Sequence, residues 1–90
     1  MGKFNFSENS WDEYLYWQSC DKKTLKRINL LLKDISRNGA LIGLGKPELL
    51  KGTFSGFYSR RIDDKNRLVY TITENGDIEI LQCKGHYQDK

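Results

Sequence analysis

The residues of this chain best suited to chemistry are a carboxylate, an imidazole and a set of cations, and they lie far apart in sequence. Glu48 stands in a glycine-punctuated stretch between Lys46 and Lys51, Arg60, Arg61 and Arg67 follow in alternating segments, and His86 is the only histidine. A carboxylate whose pKa is raised toward the working pH can take a proton, and an imidazole can give one. Guanidinium groups offer fixed donors to anionic oxygens where charge builds in a transition state. Acid-base work on an anionic substrate is the chemistry within reach of this set. Each member also has an ordinary reading. On local sequence Glu48 is a loop carboxylate, and a lone His near a terminus is more often solvated than a proton donor. Strand arginines are most often solvated or in surface ion pairs, the reading kept for Arg60. Asp63-Asp64 has the composition of a metal pair, but adjacent strand carboxylates point to opposite faces and this pair sits at a turn, so no metal is expected.

The elements that must position these groups follow from hydrophobic period. Phe4 and Phe6 alternate with polar neighbours as a short strand, and Ser10-Trp11-Asp12-Glu13 has the spacing of a capping box, with Ser10 as N-cap. Trp11, Tyr14, Leu15 and Gln18 then recur at helical spacing, which predicts a first helix of about ten residues burying its aromatic side. Trp11, Tyr14 and Trp17 read as structural side chains. Asp21 caps a second helix, in which Leu25, Ile28, Leu32 and Ile35 form an apolar stripe and Lys22, Lys26, Lys33 and Arg37 occupy another face. Asn38-Gly39 ends it. Ala40 to Thr53 has no clean period and reads as a loop, where charged residues are candidates for function.

From Phe54 the period is two: Phe57, Ser59 and Arg61 on one side, Tyr58, Arg60 and Ile62 on the other. A turn at Asp63-Asp64-Lys65-Asn66 leads to a strand in which Arg67, Val69 and Thr71 alternate with Leu68, Tyr70 and Ile72. Asn75-Gly76 marks a hairpin, and the last strand places Ile78, Ile80 and Gln82 opposite Glu79, Leu81 and Cys83. Helices first and hairpin-linked strands afterwards predict an α+β fold, two N-terminal helices packed on a twisted antiparallel sheet. The other sheet face stays open and carries Arg61 and Arg67, within reach of the Lys46 to Lys51 loop, as an electropositive groove.

Composition agrees with a folded unit. The chain has 90 residues, 38% hydrophobic and 30% charged, with one Pro; a chain of this size buries about 60 to 65% of its unfolded surface, enough for one core, so residues 1–90 are expected to form one domain. The disordered and collagen-like classes do not fit. No apolar run approaches the roughly 20 residues that span a bilayer, and no signal-peptide segment follows Lys3, which predicts a cytoplasmic protein with no membrane partner. Cys20 and Cys83 are read as ordinary small apolar residues. The net charge of +3 is modest, and its clustering matters more than its sum.

Taken together, Ser10-Trp11-Asp12-Glu13-Tyr14-Leu15-Tyr16-Trp17, Gly45-Lys46-Pro47-Glu48, Ser59-Arg60-Arg61-Ile62, Arg67-Leu68-Val69-Tyr70 and His86-Tyr87 resemble the YoeB/Txe family of the RelE toxin superfamily. The resemblance covers nearly the whole chain. It implies the microbial-ribonuclease-like RelE fold, ribosome-dependent cleavage of messenger RNA in the A site without a cofactor, a homodimer, and neutralisation by a YefM/Axe-like antitoxin. It also implies roles: Glu48 as general base, His86 as general acid, Arg67 and Arg61 on the scissile phosphate, Lys51 and Tyr87 in support. The sequence departs from the family pattern at Leu49, at Gly39-Ala40 and in the Gln88-Asp89-Lys90 tail. Two rivals stand beside this reading. A ParE-like gyrase-inhibiting toxin would share the fold but lack the Glu48 and His86 pair, and a noncatalytic RNA-binding module would block the ribosome without cutting the message.

Overall fold

A computed structural model describes residues 2–86. In chain order it contains β1 (Phe4–Phe6), α1 (Glu8–Cys20), α2 (Lys22–Asn38), β2 (Glu48–Leu49), a 3-10 turn (Gly52–Phe54), β3 (Tyr58–Arg61), β4 (Arg67–Ile72) and β5 (Ile78–Gln82). The α+β class is as the sequence predicts. The sheet, ordered β1-β5-β4-β3-β2, differs in one respect: β2 to β5 pair antiparallel, but β1 runs parallel to β5, with Phe4 opposite Ile78 and Phe6 opposite Ile80. The sheet is therefore mixed. A strand that precedes both helices reaches the edge beside the last strand after a long crossover, which is the connection parallel pairing needs.

Helix α2 forms where its pattern places it. Asp21 accepts from the Thr24 amide at 3.1 Å, and Gly39, at φ +89, closes the other end by donating to the Ile35 carbonyl. Ile28, Leu31, Leu32 and Ile35 are buried, while Lys22, Lys26, Lys33 and Arg37 are exposed. Burying each of these aliphatic side chains contributes about 1.5–3 kcal/mol. They join Trp17, Ile62, Leu68, Tyr70, Ile78, Ile80 and Cys83 in one core between the helices and the sheet.

Helix α1 departs from expectation. Its N-cap is Ser7, whose hydroxyl oxygen accepts from the Ser10 amide at 3.1 Å, and the helix has 13 residues rather than ten. Ser10 is a buried residue of the first turn that donates to the Ile80 carbonyl at 2.8 Å and so ties the helix to β5. Trp11 and Leu15 are 46% and 40% exposed; of the expected stripe Tyr14 packs against the core while partly buried, and the buried core residue of this helix is Trp17. Cys20 is exposed and Cys83 is buried, and burial pushes the Cys83 thiol up to about 12, which leaves it inert at neutral pH.

The strand alternation holds through β3 and β4 and fails in β5. Tyr70 pairs with Ile80 but Val69 pairs with Gln82, so Leu81 is an extra residue and the phase flips after it. Cys83 thus enters the core instead of joining Glu79 on the far face. The Ala40 to Thr53 segment, expected as loop throughout, contains β2 and the start of the 3-10 turn. The face opposite the helices is not wholly open either, because Ser59 and Val69 are buried there.

Candidate active site

Four segments distant in sequence meet on that second face. Cross-strand partners share a face of a sheet, and the register sets Glu48 of β2 opposite Ser59 of β3, and Arg61 of β3 opposite Arg67 of β4. Lys46, Glu48, Ser59, Arg61, Arg67 and His86 line one cavity of about 280 Å³. Three cations and one imidazole surround a single carboxylate, so the cavity is positive in sum.

Each wall has an identifiable support. Arg67 is aimed by the preceding turn: its Nη1 donates to the carbonyls of Asp63 at 2.6 Å and Asn66 at 3.1 Å. The Asp63 carboxylate fixes that turn by accepting from the amides of Lys65 and Asn66, both at 2.8 Å. His86 follows a segment held twice. Cys83 is clamped to α1, its amide donating to Glu13 Oε1 at 2.8 Å and its carbonyl accepting from Trp17 Nε1 at 2.9 Å. Gly85 is tied to the turn, its amide donating to Asn66 Oδ1 at 2.7 Å and its carbonyl accepting from the Arg67 amide at 3.0 Å.

Glu48 and Lys46 arrive on a loop anchored by Arg60. This residue, expected to be solvated or in a surface pair, is fully buried. Its Nη1 donates to Asp34 Oδ2 at 2.5 Å and to the Leu44 carbonyl at 3.0 Å, its Nη2 to the carbonyls of Gly39 at 2.8 Å and Ile42 at 2.9 Å, and its Nε to the Tyr70 hydroxyl at 2.9 Å. Asp34 in turn accepts from the Leu44 amide at 2.9 Å. Gly43, at φ +122, is required here: a Cβ would lie 1.8 Å from Asp34 Oδ2.

This arrangement has a pH signature. The Leu44 amide, and after it the Arg60 guanidinium, hold the Asp34 carboxyl below the usual carboxylate range. A group whose pKa is lowered by folding stabilises the folded state above its unfolded value, and that contribution is lost as pH falls through the folded value. Asp34→Asn is therefore expected to be less stable than the parent at neutral pH, with the two urea midpoints converging as pH falls below about 4. Parallel curves from neutral to acid pH would contradict this.

Of the residues expected in the site, Glu48, Arg61, Arg67 and His86 meet in the cavity. Lys51 is exposed just before the 3-10 turn and is not in the lining. Tyr87 lies outside the described residues. Lys46, expected only on a loop within reach of the groove, lines the cavity, as does Ser59, which shares the alternation of Arg61 but was given no role. Among the described residues, no three His, Cys, Asp or Glu side chains are grouped to hold a metal ion, and no helix is long and apolar enough to cross a membrane. A larger hollow, of about 690 Å³, is elsewhere, lined chiefly by apolar and aromatic groups including Phe4, Phe6, Trp11 and Leu32. It offers no carboxylate or imidazole, so the smaller, charged cavity is the candidate for chemistry.

Two helices on a five-stranded mixed sheet, with this cavity on the far face, define the class. The fold is shared with YafQ of Escherichia coli, at a TM-score of 0.77 and 13% identity, over 96% of this chain and 94% of that one. A family model described as the YoeB-like toxin of bacterial type II toxin-antitoxin systems matches residues 6–87, and the chain belongs to that family. It is 54% identical to the toxin YoeB of Synechocystis over 86 residues, covering 96% of this chain and 98% of the relative. The Staphylococcus aureus YoeB of a heterotetrameric YoeB-YefM complex superimposes with a TM-score of 0.89 at 52% identity, over 97% of this chain and 99% of that one. The same organism's YoeB dimer gives 0.88 at 51%, over 96% and 98%.

Proposed function

We propose that this toxin is a ribosome-dependent endoribonuclease that cuts messenger RNA in the A site. The observation that carries the reading is the meeting of Glu48, Arg61, Arg67 and His86, from four separate segments, in one cavity. RNA contains its own nucleophile, so its cleavage needs one proton removed, one donated and the charge between them stabilised. Glu48 takes the 2′-hydroxyl proton, the 2′-oxygen attacks phosphorus, the bond from phosphorus to the 5′-oxygen breaks, and His86 protonates the departing oxygen. The products are a 2′,3′-cyclic phosphate and a 5′-hydroxyl. Arg61 and Arg67 hold the non-bridging oxygens. Like charges placed directly opposite across strands cost stability, and an anion bound between these two offsets that cost. Lys51 and Tyr87 are assigned a supporting role toward the RNA on the family resemblance alone.

A cavity of this size accommodates little more than a phosphate and its sugars, so the ribosome supplies the positioning of the codon. The exposed cations of α2 dock on ribosomal RNA phosphates, with affinity that falls steeply as salt rises. The protein acts in the cytoplasm, as one domain that forms a homodimer. Its antitoxin is a YefM-like protein whose acidic segment folds over the positive cavity.

The test is the chemistry of the cut ends. Incubated with a labelled message in a reconstituted translation mixture, the protein is expected to produce fragments with 5′-hydroxyl and cyclic phosphate ends only when ribosomes are present. Arrested translation with the message intact would replace this reading with that of a noncatalytic ribosome blocker.

A further inference from the structure

The cavity includes one cation to which the family resemblance gave no role. Lys46 lines it beside Glu48, Arg61 and Arg67, and among the described residues it is the one non-glycine residue with positive φ, at +50. That backbone is doubly unfavourable. A side chain with a Cβ seldom occupies the left-handed region, and the following Pro47 pushes its predecessor toward extended backbone. Such a conformation persists when its surroundings over-determine it. Here they do: the Gly45 carbonyl accepts from the Arg61 amide at 2.7 Å, the Leu44 carbonyl is held by Arg60, and Glu48 is registered opposite Ser59. The chain is pinned on both sides of Lys46.

Between described residues the one ion pair is that of Arg60 with Asp34, so no described carboxylate forms an ion pair with the Lys46 ammonium. An exposed lysine could reach water from an ordinary extended backbone, and a strained one at the wall of a cavity already carrying two arginines is suited to an anion there.

We propose that Lys46 is a further substrate-contacting residue of the cavity, its ammonium binding the scissile phosphate alongside Arg61 and Arg67, and that the left-handed backbone at Lys46 serves to direct it there. The assignment rests on the endoribonuclease reading above. Lys46 transfers no proton. Its three rotatable donors follow the phosphate as charge develops, where the two planar guanidinium groups are fixed.

Single-turnover cleavage in the reconstituted mixture separates the possibilities, with Lys46→Met, Lys46→Arg and Lys46→Gly compared with the parent and with Glu48→Gln. Lys46→Met and Lys46→Gly are expected to lower the rate at saturating ribosomes by about 10- to 100-fold, and Lys46→Arg to recover most of it. The half-saturating ribosome concentration should change by less than about twofold, as for an interaction made in the transition state. Lys46→Gly, freed of the strained Cβ, should melt no lower than the parent. Parental rates in Lys46→Met while Glu48→Gln is inactive would overturn the Lys46 assignment and leave the cleavage reading intact. A parental rate in Lys46→Gly alone would make the backbone, not the amine, the contributor and would also overturn it, as would a loss confined to half-saturation. Cleavage by Glu48→Gln at the parental rate would remove the underlying reading and this assignment with it.

Discussion

Replacing Arg60 with Met is expected to destabilise the protein by about 3–5 kcal/mol, because it breaks a buried charge pair and leaves the other partners behind. The guanidinium has five N–H donors in a fixed fork, and Arg60 places them on five acceptors: the Asp34 carboxylate, three loop carbonyls and the Tyr70 hydroxyl. Tyr70 passes the connection on by donating to the Ala40 carbonyl at 2.6 Å. Removal of the guanidinium strands these acceptors, each costing about 1–3 kcal/mol where water cannot replace the donor. For a domain of this length the melting temperature should fall by on the order of 10 °C or more. Lysine at this position supplies three donors without the fork and should recover only part of the loss. Because the same carbonyls hold the loop that leads to Lys46 and Glu48, cleavage should fall as well, even at temperatures where the variant is folded. Thermal melting by circular dichroism is the check, and a midpoint within about 2 °C of the parent would show that the loop finds other partners.

The second large effect is on rate and not on stability. Glu48→Gln keeps the shape of the side chain and removes the proposed base; His86→Ala removes the proposed acid. Each is expected to slow cleavage by about 10²- to 10⁴-fold. The double variant should be far less than multiplicatively worse, since residues that act on one transition state do not contribute independently. Both side chains are exposed, so melting temperatures should stay close to that of the parent. A loss of activity accompanied by an equal loss of fold would assign these positions to structure instead.

What could be read in the sequence was local. Helix α2 announces itself by its cap at Asp21, its apolar period and the glycine at its end, all within one segment. The turn at Asn75-Gly76 and the alternation of β3 and β4 likewise depend on neighbours, and they were enough to place Arg61 and Arg67 on the same face. The failures involve partners far away in sequence. Ser10 and Glu13 have the spacing of a capping box, but Ser10 donates to Ile80 and Glu13 accepts from the Cys83 amide, both some 70 residues distant, while Ser7 caps the helix. Arg60 falls on the core side of its strand by alternation, yet whether a charge can be buried there depends on Asp34 from another element. The parallel pairing of β1 and the bulge at Leu81 also belong to tertiary assembly, where packing overrides local pattern.

The site divides the same way. Family resemblance brought Glu48, Arg61, Arg67 and His86 together, and the register of β2, β3 and β4, with the ties of Gly85 to Asn66 and Arg67 for His86, gives the physical reason they meet. Lys46 escaped because period-based reading assigns no direction to a loop side chain. Its signal was present in Gly45-Lys46-Pro47, a glycine and a proline enclosing a charged residue, a sequence that marks irregular backbone.

The most direct test of the central claim is primer extension on a defined message in a reconstituted translation mixture, comparing the parent with Glu48→Gln and His86→Ala. Cuts within A-site codons that require ribosomes and disappear in both variants are the predicted result. Cuts that persist at parental strength in both folded variants would contradict the claim that this cavity is the cleavage centre.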